Sequence, residues 1–135
     1  MKKIFLAFVF SILFSKLFSQ EWLFVTKDSI SKSDYSINKR LAYKGEINGL
    51  NVLRAWVKVL IPLDVINGEK YKNIKEIQLV EILCNGNRMR IISVIDYDSK
   101  GKVINSQENE NTSFTDIPPD CVGDGVLKSI CKLSN

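Results

Sequence analysis

An alternating run of side chains at residues 52–61 constrains the fold of this chain most strongly. Every second residue is apolar, which is the pattern of a half-buried antiparallel strand. The apolar face comprises Leu53, Ala55, Val57, Val59 and Ile61. The other face carries Trp56 between the cations Arg54 and Lys58. We expect the strand to end at Pro62, which has no N–H to donate, and residues 63–73 to form a loop.

The next segments predict a meander of neighbouring antiparallel strands. Residues 74–84 are rich in branched apolar side chains, and Asn85 with Gly86 is the pair typical of a two-residue type I′ hairpin turn. Residues 88–97 then return with alternating apolar positions. After a turn at residues 98–101, another strand begins at Lys102.

The ends of the chain complete an α+β fold. Residues 22–26 and 113–117 read as short strands, and a short C-terminal helix begins near Asp124, with Asp120 or Asp124 as its cap. The apolar face of this helix contains Val126, Leu127, Ile130 and Cys131. The sequence thus predicts a small antiparallel sheet of about five to six strands packed by one helix.

The N-terminal segment predicts export. Two lysines precede an apolar run at residues 4–14, and Ser15 to Gln20 form a small-residue exit typical of a secretory signal peptide. The run is shorter than the roughly 20 apolar residues that span a bilayer. We expect cleavage after Ser19 or Gln20, which leaves residues 20–135 as a single domain without a transmembrane segment. The predicted location is the periplasm, the cell surface or the medium.

Charge and composition disfavour two classes of function. Removing residues 1–19 takes away three lysines and no acidic residue, and the net charge falls from +4 to +1, so nucleic acid is not an expected partner. The chain has no histidine, the commonest metal ligand and general base. We therefore expect no metal, no cofactor and no enzymatic activity. Glu76 and Glu81 lie on opposite sides of their strand and read as surface charges.

Three cysteines leave several pairings open. In an exported domain a disulfide is more probable than free thiols. Cys121 and Cys131 are poor partners, because a helix from Asp124 separates them by about 10 Å. Cys84 with Cys131 could join the sheet to the helix, and Cys84 with Cys121 is the alternative. A catalytic Cys121 is disfavoured because no histidine can activate it.

Five residues form a candidate binding surface for an anionic partner. They are Arg54, Trp56, Lys58, Arg88 and Arg90. The competing interpretation, which we favour because aromatic side chains more often fill a core, places Trp56 inward under the helix and treats the cations as ordinary surface residues.

A series of scattered features also suggests a family. The series comprises Trp22, the strand at residues 54–59, the strand ending in Cys84, Arg88 and Arg90, Tyr97 with Gly101, the segment 117–120 and the helix carrying Cys131. In this order they resemble the surface-adhesin E-like domain of bacterial exported proteins. The resemblance implies a small sheet packed by a helix, a disulfide between Cys84 and Cys131, and adhesion to host matrix proteins. Phe114, where tryptophan is expected, and the extra Cys121 depart from the pattern.

Three functions follow from these observations. The leading prediction is an exported, non-enzymatic binding domain whose partner is a protein, an envelope component or a host-matrix component. One alternative is a periplasmic inhibitor or immunity-type protein, which would present a protruding loop such as residues 101–114. The other is a small hydrolase with paired carboxylates in a concave pocket.

Overall fold

The computed structural model describes residues 21–135, which form one antiparallel sheet and one helix. The strands are β1 (Trp22–Lys27), β2 (Asp34–Asn38), β3 (Tyr43–Ile47), β4 (Leu50–Ile66), β5 (Glu69–Leu83), β6 (Arg88–Tyr97), β7 (Val103–Glu108) and β8 (Thr115–Asp116). The helix is α1 (Val122–Lys132). The predicted antiparallel sheet with a C-terminal helix is confirmed, although the described residues contain eight strands instead of five to six. The predicted signal peptide lies outside the described residues.

The sheet has the strand order β1-β2-β4-β5-β6-β7. The two remaining strands are short. β3 pairs with the first part of β4, and β8 pairs with the first part of β6. The long hairpin of β4 and β5 forms the centre of the sheet, with thirteen registered pairs between Leu53↔Ile82 and Ile66↔Glu69.

The turns explain where the sequence prediction failed. Asn67 and Gly68 both have positive φ, +51° and +83°, as a type I′ turn requires, and they join two strands where a loop was expected. β4 therefore continues through Pro62. The pairing of β4 with β2 ends at Leu60, so Pro62 lies at a free edge, where proline is tolerated.

The predicted type I′ turn at Asn85 and Gly86 is wrong. The ladder closes at Leu83 with Arg88, and residues 84–87 make a longer link that contains a short 3₁₀ turn. Asn85 has a φ of −77°, and the left-handed residue is Asn87, with a φ of +46°. This link carries Cys84 out of the ladder and towards the helix.

The core lies between α1 and one face of the sheet. Its buried residues are Ile37, Leu53, Ala55, Val57, Val59, Val80, Ile82, Val126, Leu127 and Ile130. The alternating face of β4 and the predicted helix face both contribute to it. Cys121, and neither aspartate, caps α1, because its Sγ accepts a hydrogen bond from the N–H of Asp124 at 3.4 Å.

A disulfide links Cys84 to Cys131, with Cα atoms 6.0 Å apart. This confirms the predicted pairing and joins α1 to the end of β5. Cys121 is a free, exposed thiol. Between residues 21 and 135, no helix is long and apolar enough to cross a membrane.

Candidate functional site

The sheet face that α1 does not cover carries a groove lined by aromatic, apolar and cationic side chains. Its volume is about 460 Å³. The lining residues are Trp22, Trp56, Lys58, Lys75, Ile77, Ile95 and Tyr97. We call this the open-face groove. Because it runs across the sheet from β1 to β6, its length is about 19 Å at roughly 4.8 Å per strand.

Strand register brings these side chains together. Lys58 lies opposite Ile77, which lies opposite Ile95 on the next strand, and Lys75 lies opposite Tyr97. Side chains directly opposite each other in an antiparallel ladder share a face. Trp56 points into the groove for the same reason that Ala55 and Val57 are buried, because successive side chains alternate. The interpretation that placed Trp56 under the helix is therefore wrong.

Two lysines give the groove its charge. Lys58 Nζ lies 4.8 Å from the ring centre of Trp22, and Lys75 Nζ lies 4.7 Å from that of Tyr97. Within residues 21–135, neither ammonium has a carboxylate oxygen within 4 Å. Burial, and then the positive charge of Lys75, lower the pKa of Lys58. The groove thus concentrates positive charge between aromatic rings without compensating it.

Arg54 and Arg90 do not line the groove. Both flank Glu81, which is fully buried between them in the register Arg54↔Glu81↔Arg90. Arg90 donates from Nε and Nη2 to Glu81 Oε1, at 2.9 and 2.6 Å, and Arg54 Nε lies 3.4 Å from Oε2. The expectation that Glu81 is a surface charge is wrong, because two arginines on the neighbouring strands compensate it.

Arg90 also holds the segment that follows β7. Its Nη1 donates to the carbonyl oxygens of Glu110 and Thr112 at 3.2 and 2.8 Å, and its guanidinium lies 4.6 Å from the ring centre of Phe114. Residues 103–108 are a sheet strand and the residues after them are tied to Arg90. Residues 101–114 therefore do not form the protruding loop that the inhibitor alternative requires.

The structure places two of the five predicted surface residues in the groove, Trp56 and Lys58. Arg88 instead pairs with Asp116 at 2.8 Å, at an exposed position. The sequence prediction missed Trp22, Lys75, Ile77, Ile95 and Tyr97. Alternation within each strand does predict that Lys75 shares a face with Ile77, and Ile95 with Tyr97. It does not predict which strands lie side by side or which residues lie opposite each other, because that depends on the register of the sheet.

A pair of carboxylates lies on the helix-side face, away from the groove. Glu76 and Asp96 are opposite each other on β5 and β6, and each contacts an amide, from Gln78 and Asn105 respectively. Burial, followed by the negative charge of Asp96, raises the pKa of Glu76 to about 6. Across residues 21–135, no group of three or more histidine, cysteine, aspartate or glutamate side chains could hold a metal ion.

Comparison with known families supplies the identity. The family model of surface-adhesin protein E matches residues 15–132. The chain belongs to the surface-adhesin protein E family. No curated protein and no solved structure gives a significant match. Membership suggests an adhesin-like, non-enzymatic binding protein located outside the cytoplasm or at the cell surface.

Proposed function

We propose that this protein is an exported, adhesin-like binding domain that contacts an acidic partner through the open-face groove. Family membership supports adhesion, and the basic and apolar pattern of residues 1–19 supports export with cleavage after Ser19 or Gln20. The partner is a protein, or an envelope or host-matrix component, that presents negative charge. No catalytic step is part of the proposal.

The observation that carries the proposal is the uncompensated charge of Lys58 and Lys75. Their positions are diagonal neighbours across β4 and β5, since Lys75 lies opposite Leu60. Each ammonium faces an aromatic ring, which attracts the cation but does not neutralise its charge as a carboxylate would. An acidic group in the groove would relieve the repulsion between the two lysines.

Binding also requires contact surface, and the aromatic side chains of the groove supply it. Trp56 and Trp22 present large rigid surfaces, and buried tryptophans frequently dominate the binding free energy of protein interfaces. The lysines would then guide association and select an acidic partner, as charged groups around an interface generally do.

A pull-down with matched charge variants tests the proposal. The exported protein is immobilised and exposed to envelope and host-matrix extracts. We expect Lys58→Gln with Lys75→Gln to weaken the affinity for the bound component about tenfold, which corresponds to about 1.4 kcal/mol, and to lower its recovery accordingly. The control, Lys100→Gln with Lys102→Gln, makes the same charge change at exposed positions outside the groove. Equal recovery with both variants would contradict the proposal.

A further inference from the structure

The central hairpin extends beyond the rest of the sheet as an arm. Pairing of β4 with β2 ends at Leu60, and pairing of β5 with β6 ends at Lys75. Beyond the Ile61↔Ile74 pair, residues 62–73 pair only with each other. We call residues 62–73 the hairpin arm. From that pair to Ile66↔Glu69 the arm rises about 17 Å, at roughly 3.4 Å per residue.

One face of the hairpin arm exposes apolar side chains between lysines. Leu63 and Val65 are 58% and 55% exposed. Lys72 lies opposite Leu63, and Lys70 lies opposite Val65, so all four side chains share a face. Within residues 21–135, neither lysine has a carboxylate oxygen within 4 Å. This face combines an exposed apolar pair with two uncompensated positive charges.

The opposite face of the hairpin arm has the opposite charge. Asp64 lies opposite Tyr71, and the Tyr71 hydroxyl donates to Glu69 Oε2 at 2.8 Å. The negative groups of the arm are therefore held on the side away from Lys70 and Lys72. An isolated two-stranded hairpin is only marginally stable in water, so a contact on the lysine face would stabilise it.

We propose that the lysine face of the hairpin arm is a second docking surface, and that it binds a protein surface on which apolar side chains are bordered by carboxylates. Leu63 and Val65 would enter the apolar centre of that surface, and Lys70 and Lys72 would face its acidic border. Charge complementarity decides the occupant. A second copy docking by the same face would oppose lysine to lysine, and two apolar side chains are too few to anchor a membrane stably.

Fluorescence anisotropy with labelled peptides tests the hairpin arm. The probe is a peptide of glutamate and leucine, compared with a lysine and leucine peptide and a glutamate and serine peptide of equal length. The exported protein carries Lys58→Gln and Lys75→Gln, so that the open-face groove does not contribute. We expect binding of the glutamate and leucine peptide only, weakened about tenfold by Leu63→Ser with Val65→Ser.

Further variants separate the two faces of the arm. Lys70→Gln with Lys72→Gln should weaken binding several-fold, and the effect should shrink at high salt. Asp64→Asn with Glu69→Gln, on the opposite face of the same arm, should leave binding unchanged. An unchanged thermal midpoint for each variant confirms that it is folded.

Four results would overturn the hairpin-arm proposal. The first two are equal binding of all three peptides and absence of peptide binding. The third is arm-dependent binding to vesicles of phosphatidylcholine and phosphatidylglycerol without peptide binding. The fourth is a dimer that the Leu63 and Val65 changes dissociate. Because the groove lysines are already neutral in this experiment, none of these results bears on the proposed function of the groove.

Discussion

We predict that replacing Arg90 lowers the stability of the protein strongly, because Arg90 compensates the charge of the buried Glu81. Glu81 is fully buried in the intact protein, and in Arg90→Ala it keeps only the Arg54 contact at 3.4 Å. Removing one partner of a buried ion pair costs about 3–5 kcal/mol. Since one arginine stays, we expect about 3 kcal/mol, a large part of the roughly 5–15 kcal/mol that stabilises a domain.

Urea unfolding followed by circular dichroism, with the disulfide intact, measures this loss. In a separate thermal unfolding experiment, a loss of about 3 kcal/mol in the free energy of unfolding should lower the thermal midpoint by about 12 °C in a domain of this size. Arg88→Ala is the matched control, because the side chain of its partner Asp116 is 81% exposed. Exposed pairs contribute roughly 0–1 kcal/mol, so the control should change little.

The coupling between Arg90 and Glu81 gives a second test of the same reasoning. Arg90→Met with Glu81→Gln should destabilise by at least about 1 kcal/mol less than the sum of the single variants, because the double variant no longer buries a carboxylate that has lost Arg90. An Arg90→Ala cost no larger than that of Arg88→Ala would refute the idea that Glu81 depends on its arginines.

Three further predictions concern the disulfide, the core and pH. Cys131→Ala opens a link between residues separated by 47 positions and should lower the unfolding free energy by about 4 kcal/mol under oxidising conditions, measured by urea denaturation; no change would contradict it. Ile130→Ala, at a fully buried site, should cost about 2–5 kcal/mol in the same assay, and a cost below that range would show that the site tolerates a cavity. The native pKa of Glu76, about 6, is above its ordinary 4.5, so its contribution to stability should be lost as pH rises from about 4.5 to 6. Glu76→Gln should remove about 1 kcal/mol of that decline, allowing for partial exposure, and an identical pH profile would exclude the effect.

Local patterns in the sequence predict the elements of this fold better than their register. Alternation identifies the strand at residues 52–61 and the buried helix face, because each pattern depends on only one element. The pairing of Arg54 with Glu81 depends on the turn between two strands. The turn at Asn67 and Gly68 determines that pairing. The sequence does not predict this turn between two strands, because Pro62 wrongly indicates that the first strand has already ended.

Two further features of the candidate site lie beyond sequence patterns. Trp22 reaches the groove from β1, which is separated from β4 by β2, and no local pattern gives that order. Ile95 and Tyr97 reach it after a register shift between Leu79 and Val80 in the pairing of β5 with β6. Such a shift changes which side chains meet across the sheet.

The indole signals of the two tryptophans test the central claim most directly. Trp22 and Trp56 are the only tryptophans of the chain, and both line the open-face groove. In the exported protein with ¹⁵N-labelled indoles, adding the component recovered from envelope or host-matrix extracts should shift or broaden both Nε1–H resonances. Lys58→Gln with Lys75→Gln should abolish the change. Unchanged indole resonances at a concentration where binding is saturated would contradict the assignment of the groove as the binding site.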